Sequence, residues 1–185
     1  MDELSKRRKW RRWLSAILAE TERLCHARRL FNEVKNQVRH DPEWEEWLEN
    51  LYLVGVSLVI RRLADPNARH RTISLVKLLQ DMERHSGCLS RLGALRANPT
   101  SRRAEVHQLF DQFAGFGSLH MPQAVIRQWR EDFERVAEPC RAWVDHRIAH
   151  FDLCEESLPP TCDQIEQVLT HLDNAVIRLR LLLGA

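Results

Sequence analysis

The chain has 185 residues, enough for one domain or one domain with an extension, and at about 100–200 residues per domain it excludes two full domains. Lys and Arg number 28 against 26 Asp and Glu, and a net charge of +2 gives no basis for an indiscriminate polyanion binder. Six glycines and seven prolines leave too little punctuation for a sandwich or barrel, while 44% hydrophobic residues supply a core and exclude disorder.

The near-neutral total is unevenly distributed. Residues 1–40 carry eleven Lys or Arg against five acids, and the next ten residues carry acids alone. Trp10, Trp13, Leu14, Ile17 and Leu18 recur at i, i+3, i+4, i+7 and i+8, and Leu24, Leu30, Phe31, Val34 and Val38 continue the stripe, predicting a long, basic, amphipathic N-terminal helix. Its run from Ser5 to Trp13 mixes cations with indoles, the composition of a nucleic-acid arm or a membrane-surface helix. Because both indoles lie on the apolar stripe, the simpler reading is a core-facing edge with a solvated basic face.

Asp41-Pro42 marks the start of a second helix, an N-cap side chain before a proline whose missing N–H costs nothing in the first turn. Glu43, Glu45 and Glu46 suit the positive end of its dipole. The stretch from Leu51 to Ile60 is apolar almost all round, so this helix is expected to be the central, most buried one. Asp65-Pro66 ends it. A polar loop with Arg69, His70 and Arg71 then leads to Thr72 or its neighbour as the cap of a third helix, with Ile73, Val76, Leu79 and Met82 inward and Gly87 as its C′ residue. Arg61, Arg62, Arg69 and Arg71 form a second basic group, either a solvated loop with ion pairs or an extension of a phosphate-binding surface.

Residues 88–121 are expected to form an irregular, mobile excursion with helical fragments around 89–96 and 102–113, broken at Asn98-Pro99 and at Gly115 and Gly117. Helical periodicity returns from Pro122 to Asp152, where Pro139 either kinks one helix or separates two. Thr161 to Gln164 reads as a capping box opening a final helix with Ile165, Val168, Leu169, Leu172, Val176, Leu179 and Leu182 inward. The fold class is therefore all-α: one bundle of five or so helices with antiparallel neighbours. No run of 18 apolar residues and no signal peptide is visible, so a cytoplasmic protein without membrane contact is expected. Five widely spaced cysteines without a C-x-x-C pair point to reduced thiols.

Functional side chains are densest from Arg141 to Asp152. With a turn of about 100° per residue, Val144, Ile148 and Phe151 share an apolar sector, and Trp143, His146, Arg147 and His150 a neighbouring one. An imidazole trades protons near neutrality and a guanidinium offers forked donors to phosphate, so the second sector combines a general acid or base with an anion clamp. The alternative is a solvated face with an Arg141–Asp145 ion pair at i, i+4. His146 and His150, with Asp152 or Cys154, have a metal-ligand spacing, but no Glu follows the first His; neither a metal nor another cofactor is expected.

The string Asp145-His146-Arg147-Ile148-Ala149-His150-Phe151-Asp152 resembles the (R)D-K-R-I-A-H-x-D signature of HEPN domains, and in particular of the abortive-infection U-type HEPN-like family. The order of features is similar over roughly residues 45–180, with an apolar helix ending Ile60-Arg-Arg-Leu-Ala-Asp65-Pro66 and then Thr72-Ile-Ser-Leu-Val-Lys-Leu-Leu79. The resemblance implies an all-α up-and-down bundle, a homodimer with facing motif helices, and metal-independent RNA cleavage. It assigns proton transfer to His150, carries over Asp145, and leaves His146 and Arg147 as neighbours; Trp143 and Arg141 on the motif helix and Arg61 and Arg62 at the end of the second helix are candidate binding residues from the residue pattern itself. The family's arginine falls here on Trp143, Val144 or Asp145, none of which is an arginine; Arg147, one turn from His150, is the nearest substitute. RNA and a cognate antitoxin or other partner protein are the expected partners. A catalytically silent dimerisation or partner-binding module is the alternative.

Overall fold

Thirty-six residues, Glu3–Val38, form one unbroken helix, α1, whose buried positions Trp10, Leu14, Ile17, Thr21, Leu24 and Phe31 recur every three to seven residues. The protein is seen here in a computed structural model that describes residues 3–38, 40–67, 69–149 and 158–185, the backbone alone at 148 and 149. Six further α-helices follow among the described residues: α2 (Pro42–Leu63), α3 (Leu75–Arg84), α4 (Arg91–Ala97), α5 (Arg103–Ala114), α6 (Gln123–Trp143) and α7 (Cys162–Leu183). A π-helical turn, Val144–Ala149, extends α6. Among the described residues there is no strand, only an isolated bridge between Ser90 and His120.

Local chemistry sets the helix ends. The Asp41 carboxylate accepts the Trp44 N–H at the start of α2. Thr161 and Gln164 form the expected capping box on α7. The cap of α3 is Ser74 and not Thr72: the Ser74 hydroxyl accepts the Lys77 N–H, while Thr72 Oγ1 donates to Asp65. Gly87 is not a left-handed C′ residue either; α3 ends on His85 and Gly87 lies in a short 3-10 turn. That role falls at the other end of the chain, where Gly184 closes α7 with φ +70° and packs so closely on the Ala97 backbone that a Cβ would collide.

Ion pairs and ring contacts show how the long helices run. Arg62–Glu20, Phe31 stacked on Tyr52, and Lys35–Glu49 place α1 antiparallel to α2. Glu83, near the end of α3, holds Arg127 and Arg130 near the start of α6, and Arg11 on Leu183 O with Arg28 on Glu166 places α1 antiparallel to α7. The centre of the bundle is α7, not α2. It packs against α1, α2, α4, α5 and α6 and buries ten side chains, whereas Leu51 and Leu58 of α2 are exposed. All-round apolar character predicts a core helix; here the extra apolar side of α2 faces outward.

The segment 88–121 is made of short, broken helices, as its proline and glycines foretell, yet it belongs to the core. Leu89, Ala94, Val106, Phe110 and Met121 are buried, and Leu89 and Arg91 exchange backbone hydrogen bonds with Met121 and Leu119. Arg91 closes the loop by donating to Ser118 O at 2.7 Å and Asp111 at 2.6 Å.

Much of the basic face of α1 points inward. Arg7 donates to Cys88 O and Leu182 O, and Arg11 to Leu183 O, so both guanidiniums cap the carbonyl end of α7. Trp10 is fully buried and its indole N–H donates to Asp81 at 2.7 Å.

Candidate functional site

Pro139 neither ends nor restarts its helix: α6 runs through it to Trp143. The proline has no N–H, so one backbone bond of the preceding turn is lost at that point. Cys140 and Val144, both buried, hold the end of α6 against the core, and Trp143 packs half-buried beside them. Val144 is also where the hydrogen bonding widens from i→i+4 to the i→i+5 spacing of the π turn. Each residue of such a turn rotates through a smaller angle than in an α-helix, so the α-helical sectors assigned to 144–149 from sequence no longer hold. π turns inside helices occur frequently at functional sites.

The turn is fastened from α2. Arg61 Nε donates to Asp145 Oδ1 at 2.8 Å, with both side chains 38% exposed. The Arg141–Asp145 pair expected from spacing is therefore not formed; Arg141 instead lies 3.1 Å from Glu138. Of the two α2 arginines, Arg61 reaches the motif and Arg62 does not, since Arg62 Nη2 bonds Glu20 of α1 at 2.7 Å. His146 and Arg147 are exposed on the turn, and Arg147 has no ion pair among the described residues. His150, Asp152 and Cys154 lie outside the described residues. Among the described residues no group of three or more His, Cys, Asp or Glu could hold a metal ion.

A cluster that the sequence did not disclose, built on the buried Asp65–Lys77 pair, holds the loop between α2 and α3. Asp65 receives the Asn67 N–H at 3.0 Å, His70 Nδ1, Thr72 Oγ1 and Lys77 Nζ, the last three at 3.1 Å each. Lys77, itself buried, also donates to His70 O, Thr72 O and Thr72 Oγ1. Burial alone would raise the Asp65 pKa, but the hydrogen bonds from Asn67, His70 and Lys77 outweigh it and hold the carboxyl at about 2. The Asp65-Pro66 pair was legible as a helix stop; nothing in the spacing marked Lys77, on an apolar face, as its partner.

A second unforeseen feature is an apolar groove of about 440 Å³ between α1 and α2, walled by Leu30, Phe31, Val34, Leu51, Tyr52 and Val59. Its signal in the sequence is the all-round apolar character of 51–60, which equally fits a core helix.

Residues 7–185 match the family model described as AbiU2, a HEPN family. The chain belongs to the AbiU2 family of HEPN proteins. No curated protein and no solved structure matches it. The match begins at Arg7, so α1, which the resemblance starting near residue 45 left aside, is part of the AbiU2 domain, in keeping with the caps that Arg7 and Arg11 place on α7. As an abortive-infection-type HEPN protein, the chain carries its RIAH string at the junction of the π turn and the residues that follow it. Among the described residues no helix is long and apolar enough to cross a membrane.

Proposed function

We propose that this AbiU2-family protein binds RNA at the motif turn and cleaves it without a metal ion, with His150 as the proton-transfer group and the motif turns of two copies facing each other in a homodimer. The observation that carries the reading is the Arg61–Asp145 pair, which fixes a π turn displaying Arg147 and His146 immediately before His150.

In the proposed reaction an imidazole removes the proton from a ribose 2′-hydroxyl. The 2′-oxygen bonds to the adjacent phosphorus, the bond to the 5′-oxygen breaks, and a second imidazole returns a proton to that leaving oxygen. The products are a 2′,3′-cyclic phosphate and a 5′-hydroxyl. His146, or His150 of the second copy, supplies the second imidazole. Charge on the pentavalent phosphorus is stabilised by Arg147, in the absence of an arginine at 143–145. Asp145, engaged with Arg61, orients the turn instead of moving protons.

The missing arginine and the apolar α1–α2 groove favour one other reading, a silent module that pairs with a second copy or with a neutralising partner such as a cognate antitoxin. Incubation with single-stranded RNA in EDTA separates the two. The enzyme reading predicts cleavage by the wild type and none by His150→Ala; RNA left equally intact by both removes that reading.

A further inference from the structure

Between α1, α3 and the loop before α3 lies a cleft of about 510 Å³ lined by Lys9, Arg12, Trp13, Arg71, Lys77 and Arg84. Its one lining carboxylate, Asp81, is already satisfied: it accepts from Lys9 at 3.0 Å and from the Trp10 indole at 2.7 Å, with Lys6 at 3.5 Å. Lys77 is likewise committed to Asp65. Arg12, Arg71 and Arg84 remain, exposed and without a carboxylate partner among the described residues. Elsewhere on the surface Arg23, Arg28, Arg62 and Arg130 each hold a carboxylate. Three uncompensated guanidiniums around a walled cleft concentrate positive potential, and their forked donors match phosphate oxygens.

The cleft is also preformed. Arg71 stands between His70 and Thr72, and both neighbours are tied to the Asp65–Lys77 pair. Lys9 Nζ lies 4.4 Å from the Trp13 ring centroid and occupies an indole face on which a base would stack. Recognition is thereby weighted toward phosphate over base.

We infer that this cleft binds the phosphate backbone of an RNA strand at a site separate from the motif turn. The inference rests on the RNA reading above for the identity of the strand. Binding through phosphate is tolerant of sequence and steeply dependent on salt.

The test uses a labelled 2′-O-methyl RNA oligonucleotide, which lacks the attacking hydroxyl and stays whole, and follows fluorescence anisotropy from 50 to 200 mM salt. Compared are the full-length wild type, the triple variant Arg12→Ala, Arg71→Ala, Arg84→Ala, and a charge-matched triple variant of exposed arginines elsewhere, Arg29→Ala, Arg103→Ala, Arg135→Ala. The cleft variant is expected to bind at least tenfold more weakly, with the slope of log K against log salt reduced by about 2, roughly 0.7 for each of three contacts. The control is expected to stay within threefold of the wild type. Equal loss in both variants, or none in the cleft variant, overturns the cleft and leaves RNA binding standing. No binding by the wild type overturns the RNA reading and the cleft together.

Discussion

Arg61 of α2 and Asp145 of the π turn meet at 2.8 Å, joining the end of one helix to the motif that follows another. Both groups are partly solvated, so the pair contributes no more than about 1 kcal/mol to stability. On the proposed function its larger effect is positional, because it ties the turn that precedes His150 in the sequence to α2. Arg61→Ala is therefore expected to melt within about 4 °C of the wild type and to lose at least tenfold in RNA cleavage. Melting curves and initial cleavage rates on the same preparations check this; equal cleavage rates would free the turn from Arg61.

Arg147→Ala isolates the charge at the motif. The side chain is exposed and makes no ion pair among the described residues, so stability should change by less than about 0.5 kcal/mol. Cleavage should fall by about 10²-fold, the usual effect of removing one group that stabilises transition-state charge. A single-turnover assay measures the loss directly.

Asp65 gives the fold an acid-sensitive element. Its pKa is lowered from 3.8 to about 2 in the folded chain, so the carboxylate adds stability that is complete above about pH 4 and is lost as pH falls toward 2. The shift corresponds to about 2 kcal/mol. In denaturant titrations the gap between wild type and Asp65→Asn should be largest near neutrality and shrink by that amount between pH 5 and pH 2.

Tyr52 is the only tyrosine of the chain, so absorbance at 295 nm reads it alone. Burial first, then the nearby Glu166 and Cys162, push its pKa up to about 12. The folded protein should show half-ionisation near pH 12 and the denatured chain near the usual 10. In that interval the unfolded state is favoured, so stability should fall as pH rises.

At the chain's end, Gly184→Ala places a Cβ against the Ala97 backbone at a φ of +70°. Both the left-handed conformation and the collision oppose it, and a loss of about 1–3 kcal/mol is expected from denaturant unfolding.

What the sequence disclosed follows from how local each signal is. Asp41-Pro42 and the Thr161–Gln164 box act within one turn of backbone, and both stand in the structure as read. The partner of Asp145 could not be found that way: i, i+4 spacing offered Arg141, whereas the tertiary fold supplied Arg61, 84 positions away. Leu51 and Leu58 are exposed for a related reason: apolar character permits burial without requiring it, and which face is covered is decided by tertiary packing. The basic face of α1 divided after folding, with Arg7 and Arg11 turned onto the end of α7 and Arg12 left on the cleft. Composition counted all three alike.

The most direct measurement is the chemistry of the ends left on an RNA strand in EDTA. A single-stranded RNA incubated with the wild type should yield fragments ending in a 2′,3′-cyclic phosphate, each followed by one beginning with a 5′-hydroxyl. Neither product should form with His150→Ala or from a strand bearing 2′-deoxyribose at the cleavage position. Uncut RNA with the wild type, or equal products from the wild type and His150→Ala, would contradict the account.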